Sequence, residues 1–397
     1  MGSSGPGGGE RLEAAARRAF VVVIDALGAG AEADAADYGD GGADTLRHLA
    51  TAVGGLRLPT LERLGLGCIA RLRGVVPSRS PVLHGTLHHQ GPGKDSTTGH
   101  WELFGVVASA PLPTYPGGLP RELVARLEHA TGRGVCGGAA IDGLAAIAQL
   151  GERHLRTGEL IAYTSVDSVV QLAAHEDVVS RAELEDACAA ARGALTGDEA
   201  VGRVIARPFR GTPGAFERTA GRRDFALAPP ERSHLDALGE VGVPVHAVGK
   251  VGDLFTGRGI DVVHPGATNA AALASIEGLV EGLDRGVVIA NLVETDELYG
   301  HRKDVEGFHA ALREIDAAIG RWLAVLRPAD MLIVTADHGV DPAMAHADHT
   351  RERVPLLASF AGHGGRRHEG PMADVGASVL SWTAGRRDPE LPGEPFA

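Results

Sequence analysis

The sequence predicts an α/β fold with a mainly parallel sheet flanked by helices, and a smaller α/β domain inserted into it. Two observations carry this. Strand-sized apolar runs alternate with helical patterns along the first and last thirds of the chain. Two Pro-rich breaks, "ASAPLPTYPGGLP" at 108–120 and "PPERS" at 229–233, bracket a middle segment of different character. The expected division is a leader over 1–18, a discontinuous core of 19–110 and 232–397, and an inserted domain of 111–231.

Taken in order, "MGSSGPGGGERLEAAARR" is rich in Gly and small residues, lacks an apolar signal-peptide core, and is expected to be flexible. "AFVVVID" (19–25) reads as a buried strand. "GKDSTTGHWE" (93–102) is too polar for a buried strand and shows no helical stripe, so it reads as a loop. The middle segment runs through helices and "ELIAYTSVDS" (159–168) to a basic stretch at 202–225. Three further strands follow, "GVVIANLVETD" (286–296), "DMLIVTAD" (330–337) and "VPLLASF" (354–360). Between the first two of these, 304–326 places Phe308, Leu312, Ile315, Ile319 and Trp322 on one helical face and reads as a crossover helix.

The formal charge of −13 over 397 residues argues against nucleic acid or an anionic membrane as partner. Three cysteines without CxxC spacing point to a reducing, cytoplasmic setting and exclude a cysteine-ligated zinc site. No apolar run reaches the length of a membrane span. With 18 histidines available, any metal site is expected to use imidazole and carboxylate.

Three of the four predicted strands run into aspartates, Asp25, Asp296 and Asp337, and ligands collect at the carboxyl ends of parallel strands. Each alone reads as a turn or cap residue. His301 follows Asp296 across a glycine turn, His338 adjoins Asp337, and His349 comes one short loop later. Six such residues exceed one tetrahedral site and suit two cations sharing a bridging group. Mixed N/O ligation without sulfur suits Mn²⁺ or Zn²⁺, with Mg²⁺ a poorer match to three imidazoles. A phosphoryl group between two such cations would give one hydroxyl of "DSTT" a partner.

The ordered set "VVVIDALGAGAEADAADYGDGGADTLRHLA", "GKDSTTGHWE", "YTSVDSVVQLAAHE", "GRVIARPF", "NLVETDELYGHRKD" and "TADHGVDPAMAHADHTRE" resembles the phosphopentomutase family of the alkaline phosphatase superfamily. The resemblance implies an alkaline-phosphatase-like core with an inserted cap domain, and two Mn²⁺ ions. Asp25, Asp337, His338 and the nucleophile would surround one ion; Asp296, His301 and His349 would surround the other. The family's phosphorylated threonine falls on Ser96, so Ser96 is the expected nucleophile. Arg207 and Arg222 match its phosphate clamp, Lys250 its core lysine, and Ser165 and Asp167 cap residues facing the sugar. The implied activity is interconversion of ribose 1-phosphate and ribose 5-phosphate, or their 2-deoxy forms, through a phosphoserine enzyme and a bisphosphate. A sugar bisphosphate such as glucose 1,6-bisphosphate would prime it. The family's Gly-Asn…Ser-Gly-Thr stretch is replaced here by "VCGGAAIDGLAAI" (135–147), with Gly138, Asp142 and Leu144 in place of the polar residues. A related mutase acting on a modified pentose phosphate and a dinuclear-metal phosphatase are the alternative readings. Oligomeric state is not legible.

Overall fold

The computed structural model describes residues 17–165 and 168–397. In chain order the strands are β1 (Arg18–Ile24), β2 (Leu83–His88), β3 (Val135–Ala140), β4 (Leu160–Thr164), β5 (Val169–His175), β6 (Arg203–Thr212), β7 (Ala215–Arg218), β8 (Arg223–Ala226), β9 (Val245–Val248), β10 (Val262–His264), β11 (Gly286–Leu292), β12 (Asp330–Thr335), β13 (Val354–Ser359) and β14 (Arg367–Pro371). They form two sheets in two compact units. One unit takes in the chain up to Ala110 and again from Pro229 to Ala397; the other is Pro111–Ala228.

The sheet of the first unit has the order β10-β9-β11-β1-β12-β13-β2-β14. Its pairings are parallel except those of β13, which runs against both β12 and β2. Every residue of β1, β11 and β12 is buried, which is why these strands read as mainly apolar runs rather than as alternating ones. The helix Val305–Val325 carries β11 over β1 to β12 and buries Phe308, Leu312, Ile315, Ile319 and Trp322. A buried aspartate on the same helix, Asp316, accepts from Thr60 N and Leu61 N at 3.1 and 2.7 Å, satisfying the first turn of the helix Pro59–Leu64.

Register places the site. Val23 lies opposite Asn291 on one side and Thr335 on the other, so the three central strands end together at one edge. Asp25 follows β1 directly, and Asp337 comes two residues after β12.

Three readings of the sequence need correction. β11 stops at Leu292, where its ladder with β1 ends at Ile24; beyond that point no strand pairs with it among the described residues, and the chain closes into a π-helical turn, Thr295–Gly300, that carries Asp296. "GKDSTTGHWE" is not a loop throughout, because Ser96–Leu103 is an α-helix. It lacks an apolar stripe because Thr97 through Leu103 are all buried, polar and apolar faces alike. The leader reading over 1–18 also takes in Arg17, which donates to Trp382 O, and Arg18. Arg18 opens β1, and its buried guanidinium meets Asp330 at 2.8 Å while donating to Val280 O and Leu283 O.

In the second unit the order is β3-β4-β5-β6-β7, with β8 also paired to β6. Side chains alternate across this sheet. Leu160 and Ala162 join a cluster with Leu123, Leu184 and Cys188 from the helices Arg121–Thr131 and Arg181–Ala194. Ile161 and Tyr163 join Ile147 of the helix Gly143–Thr157 and Phe209 on the other face.

Candidate active site

The first cluster joins Asp25, Asp337 and His338, all fully buried, with ligand atoms within 4.8 Å of one another. The turn that presents Asp25 is strained. Ala26 has φ 65°, a left-handed conformation that costs a residue with a Cβ about 1 kcal/mol, and its amide donates to Asp337 Oδ1 at 3.3 Å. His338 Nε2 lies 3.3 Å from Asp25 Oδ1 and 3.5 Å from Asp337 Oδ2.

A second cluster joins Asp296, His301 and His349. The π-turn puts Asp296 and His301 on one side, and His301 Nδ1 meets Ala347 O at 2.6 Å, which aims Nε2 at Asp296 Oδ1, 3.4 Å away. His349 Nε2 is 3.5 Å from the same oxygen. The clusters adjoin: the His338 and His349 rings stack with centroids 4.0 Å apart.

Four buried atoms here, Asp25 Oδ1, Asp296 Oδ1, Asp337 Oδ2 and His349 Nε2, meet no hydrogen-bond donor in good geometry among the described residues. Carboxylate oxygens buried without donors are costly, and divalent cations are what satisfies such a set. The residues therefore fit metal binding, with an all-N/O donor set. The electrostatics agree. Burial works against a charged imidazole, yet the carboxylates of Asp337 and Asp25 push His338 up to about 10. Lys250 likewise rises above the ordinary lysine value against burial, because Asp25, Asp296 and Asp337 surround it. Burial alone would raise Asp25, but Lys250 and His338 hold it well below the ordinary carboxylate range. Such a concentration of negative charge calls for cations.

Of the three adjacent hydroxyls, only Ser96 faces the first cluster: its Oγ lies 3.1 Å from His338 Nε2 and 3.2 Å from Lys250 Nζ. Lys250 Nζ is also 2.6 Å from Asp25 Oδ2. Asp95 caps the helix, accepting from Thr97 N and Thr98 N at 2.9 and 3.1 Å and from the Thr98 hydroxyl at 2.8 Å. That cap occupies Thr98 and leaves Ser96 at the first helical position. Gly99 lets the helix lie against the end of β12, since a Cβ there would sit 2.3 Å from Asp337 O.

The structure thus brings Asp25, Ser96, Lys250, Asp296, Asp337, His338, His301 and His349 together from separate parts of the chain. Asn291 and Glu352 escaped the reading of the sequence. Glu352, buried, accepts from Thr45, Thr350 and Gly30, and it lies where a Cβ on Gly28 or Gly339 would go, tying down the loops beside the candidate ligands. The available signal for Asn291 was an amide near the end of a wholly apolar strand.

In the second unit, Arg207 donates to Gln171 Oε1 at 2.9 Å and Arg222 makes two 2.7 Å bonds to Asp224. Burial, together with the nearby charges of Arg222 and Arg218, lowers the proton affinity of Arg207, so the guanidiniums crowd one another. Ser165 follows β4, its carbonyl accepting from Thr164 Oγ1 at 3.4 Å. Asp167 lies outside the described residues. In the altered stretch, Asp142 caps the helix Gly143–Thr157, and Gly143 leaves room for Arg218 and the Tyr163 hydroxyl.

The chain matches the Metalloenzyme superfamily over residues 17–383. It is 45% identical over 368 residues to a phosphopentomutase of Caldanaerobacter subterraneus subsp. tengcongensis, covering 91% of this chain and 93% of that one. Against the phosphopentomutase of Anaeromyxobacter sp. (strain K) it is 47% identical over 376 residues, covering 94% and 97%. Among solved structures, PH0037 from Pyrococcus horikoshii is similar in fold, with TM-score 0.50 and 14% identity, over 94% of this chain and 98% of that one.

Proposed function

We propose, from the premise that the chain belongs to the phosphopentomutase family of the metalloenzyme superfamily, that it interconverts ribose 1-phosphate and ribose 5-phosphate, or their 2-deoxy forms, with Ser96 as phosphoryl carrier. The observation that carries the role of Ser96 is its position. Among the three hydroxyls of "DSTT", its oxygen alone meets both Lys250 and His338, beside carboxylates that each keep one buried oxygen without a donor.

Asp25, Asp337, His338 and Ser96 are assigned to one divalent cation, and Asp296, His301 and His349 to the other, with Mn²⁺ the expected metal. When bound, the cations supply positive charge to the phosphoryl oxygens in transfer and lower the pKa of a bound hydroxyl. The chain's own groups do the rest. Lys250 donates to Ser96 Oγ and stabilises the negative charge that grows on it as the phosphoryl group leaves. In the forward half-reaction the Ser96 Oγ–P bond breaks, the phosphorus bonds to the free hydroxyl of the pentose monophosphate, and the proton of that hydroxyl ends on Ser96 Oγ. The resulting bisphosphate turns end for end and returns its other phosphate to Ser96. The Asp95 cap and the Gly99 contact hold the serine in line, so transfer rests on positioning and charge.

Arg207, half-buried and crowded by the charges of Arg222 and Arg218, and the exposed Arg222 suit a phosphate that is gripped while the other end of the sugar reacts; Ser165 and Asp167 are assigned to the sugar hydroxyls. A bisphosphate such as glucose 1,6-bisphosphate is the expected primer. The three thiols are free, which supports a reducing cytoplasmic setting, and among the described residues no helix is long and apolar enough to cross a membrane.

The test is ³¹P NMR of the Mn²⁺-loaded, primed protein with ribose 1-phosphate, the metal being chelated before spectra are taken. Appearance of ribose 5-phosphate is expected. Inorganic phosphate alone would replace the mutase with a phosphatase.

A further inference from the structure

Two buried polar side chains beside Ser96 have no part in the phosphoryl relay. His100 lies on the helix Ser96–Leu103, and Asn291 is the penultimate residue of β11; both are fully buried. Asn291 Nδ2 donates to Asp25 Oδ2 at 3.0 Å and lies 3.2 Å from His100 Nε2. An ionised carboxylate only accepts, so the nitrogen of the amide, not its oxygen, must face Asp25. Its second hydrogen then points at His100 Nε2, which must accept. That choice fixes the tautomer. His100 carries its ring proton on Nδ1 and donates to the Ser96 carbonyl oxygen at 2.8 Å, with Asp337 Oδ2 3.2 Å away on the same side.

A buried histidine bonded within its own helix is ordinarily a structural residue. His100 differs in what it joins. Through one ring it touches the backbone of the nucleophile and the carboxylate after β12, and through Asn291 it reaches the carboxylate after β1. Three separate segments of chain, each bearing a group of the transfer site, meet on this imidazole. The start of a helix is otherwise easily displaced, because its first residues lack intrahelical partners for their N–H groups.

We infer that His100, oriented by Asn291, is a positioning residue that fixes Ser96 relative to Asp25 and Asp337. The inference rests on the proposed phosphoserine relay. Its direct signature is the tautomer, read on the unmodified protein. Two-bond ¹H–¹⁵N correlation of histidine-labelled, Mg²⁺-loaded protein is expected to show His100 protonated on Nδ1 and bare on Nε2. The resonance is assigned by its loss in His100→Phe. Protonation on Nε2 instead would overturn the inference.

Kinetics supply the second readout. His100→Phe and Asn291→Leu are each expected to lower kcat by ~10–100-fold with KM changed less than about threefold. The double variant should be little worse than either, since both cut one chain of contacts. His100→Asn, which keeps a donor near the Nδ1 position, should regain part of the loss. Full kcat in His100→Phe, or losses that simply multiply, would overturn the inference. If His100→Phe does not fold, assignment passes to His100→Asn and the tautomer still decides. Absence of mutase activity in the unmodified enzyme would strike the relay, and the tautomer readout would remain to judge the positioning.

Discussion

Replacing Gly99 by alanine is a sharp perturbation of the junction between the helix Ser96–Leu103 and the end of β12. The added Cβ would lie 2.3 Å from Asp337 O and 3.0 Å from both its carbonyl carbon and its Cβ. These are backbone or backbone-attached atoms, so no flexible side chain can give way. Restoring an ordinary contact near 3.5 Å separates the helix and strand end by roughly 1 Å. Overpacking of this kind costs ~1–3 kcal/mol of stability. A shift of that size between the Ser96 hydroxyl and the phosphoryl group is expected to slow transfer by ~100-fold. The assay is the initial rate of pentose phosphate interconversion, beside a denaturant midpoint for each protein. Gly278→Ala is the control: in the helix Asn269–Gly282, with open space around it, this change should stabilise by about 1 kcal/mol and leave the rate alone. A Gly99→Ala protein with unaltered rate and midpoint would refute the idea that this close approach positions the serine.

Lys250→Met removes the ammonium between Asp25 and Ser96, and kcat should fall by ~10²–10³-fold, as when one donor to a developing oxyanion is lost; an unchanged kcat removes Lys250 from the reaction. Arg207→Lys should raise KM for the sugar phosphate more than it lowers kcat, because a lysine cannot reproduce a bidentate grip; a pure kcat effect contradicts the clamp. His234 gives a pH prediction. Burial lowers it to about 4, so the unfolded chain takes up the proton first. The resulting loss of stability begins as pH falls through 6.5 and is complete near 4, amounting to ~3 kcal/mol. In His234→Gln that component of the acid dependence should vanish, and an identical slope in denaturant midpoint against pH would refute it.

The strands and the candidate ligand residues were legible because each leaves a local mark. β1, β11 and β12 are buried on both faces and so are largely apolar rather than alternating, and the candidate ligands Asp25, Asp296 and Asp337 follow them where the apolar run breaks. The start of the helix Ser96–Leu103 was not legible. Its marks were present, with Asp95 as cap and Ser96 at the first position, but burial on every side erased the stripe by which helices are read. β11 was drawn too long for the opposite reason: Val293 continues the apolar run after the ladder has ended. Asn291 and Glu352 act mainly through partners far away in sequence, and His100 joins the nearby Ser96 carbonyl to the distant Asn291 and Asp337, so local pattern alone does not give their contacts. The choice among Ser96, Thr97 and Thr98 needed either the family resemblance or the positions of Lys250 and His338.

The most direct measurement is peptide mass spectrometry of the Mn²⁺-loaded protein after incubation with a sugar bisphosphate and rapid quench. One phosphoryl group on Ser96, discharged on adding pentose monophosphate and missing in Ser96→Ala, is the predicted result. Phosphate on Thr97 or Thr98, or sustained turnover by Ser96→Ala, would contradict the account.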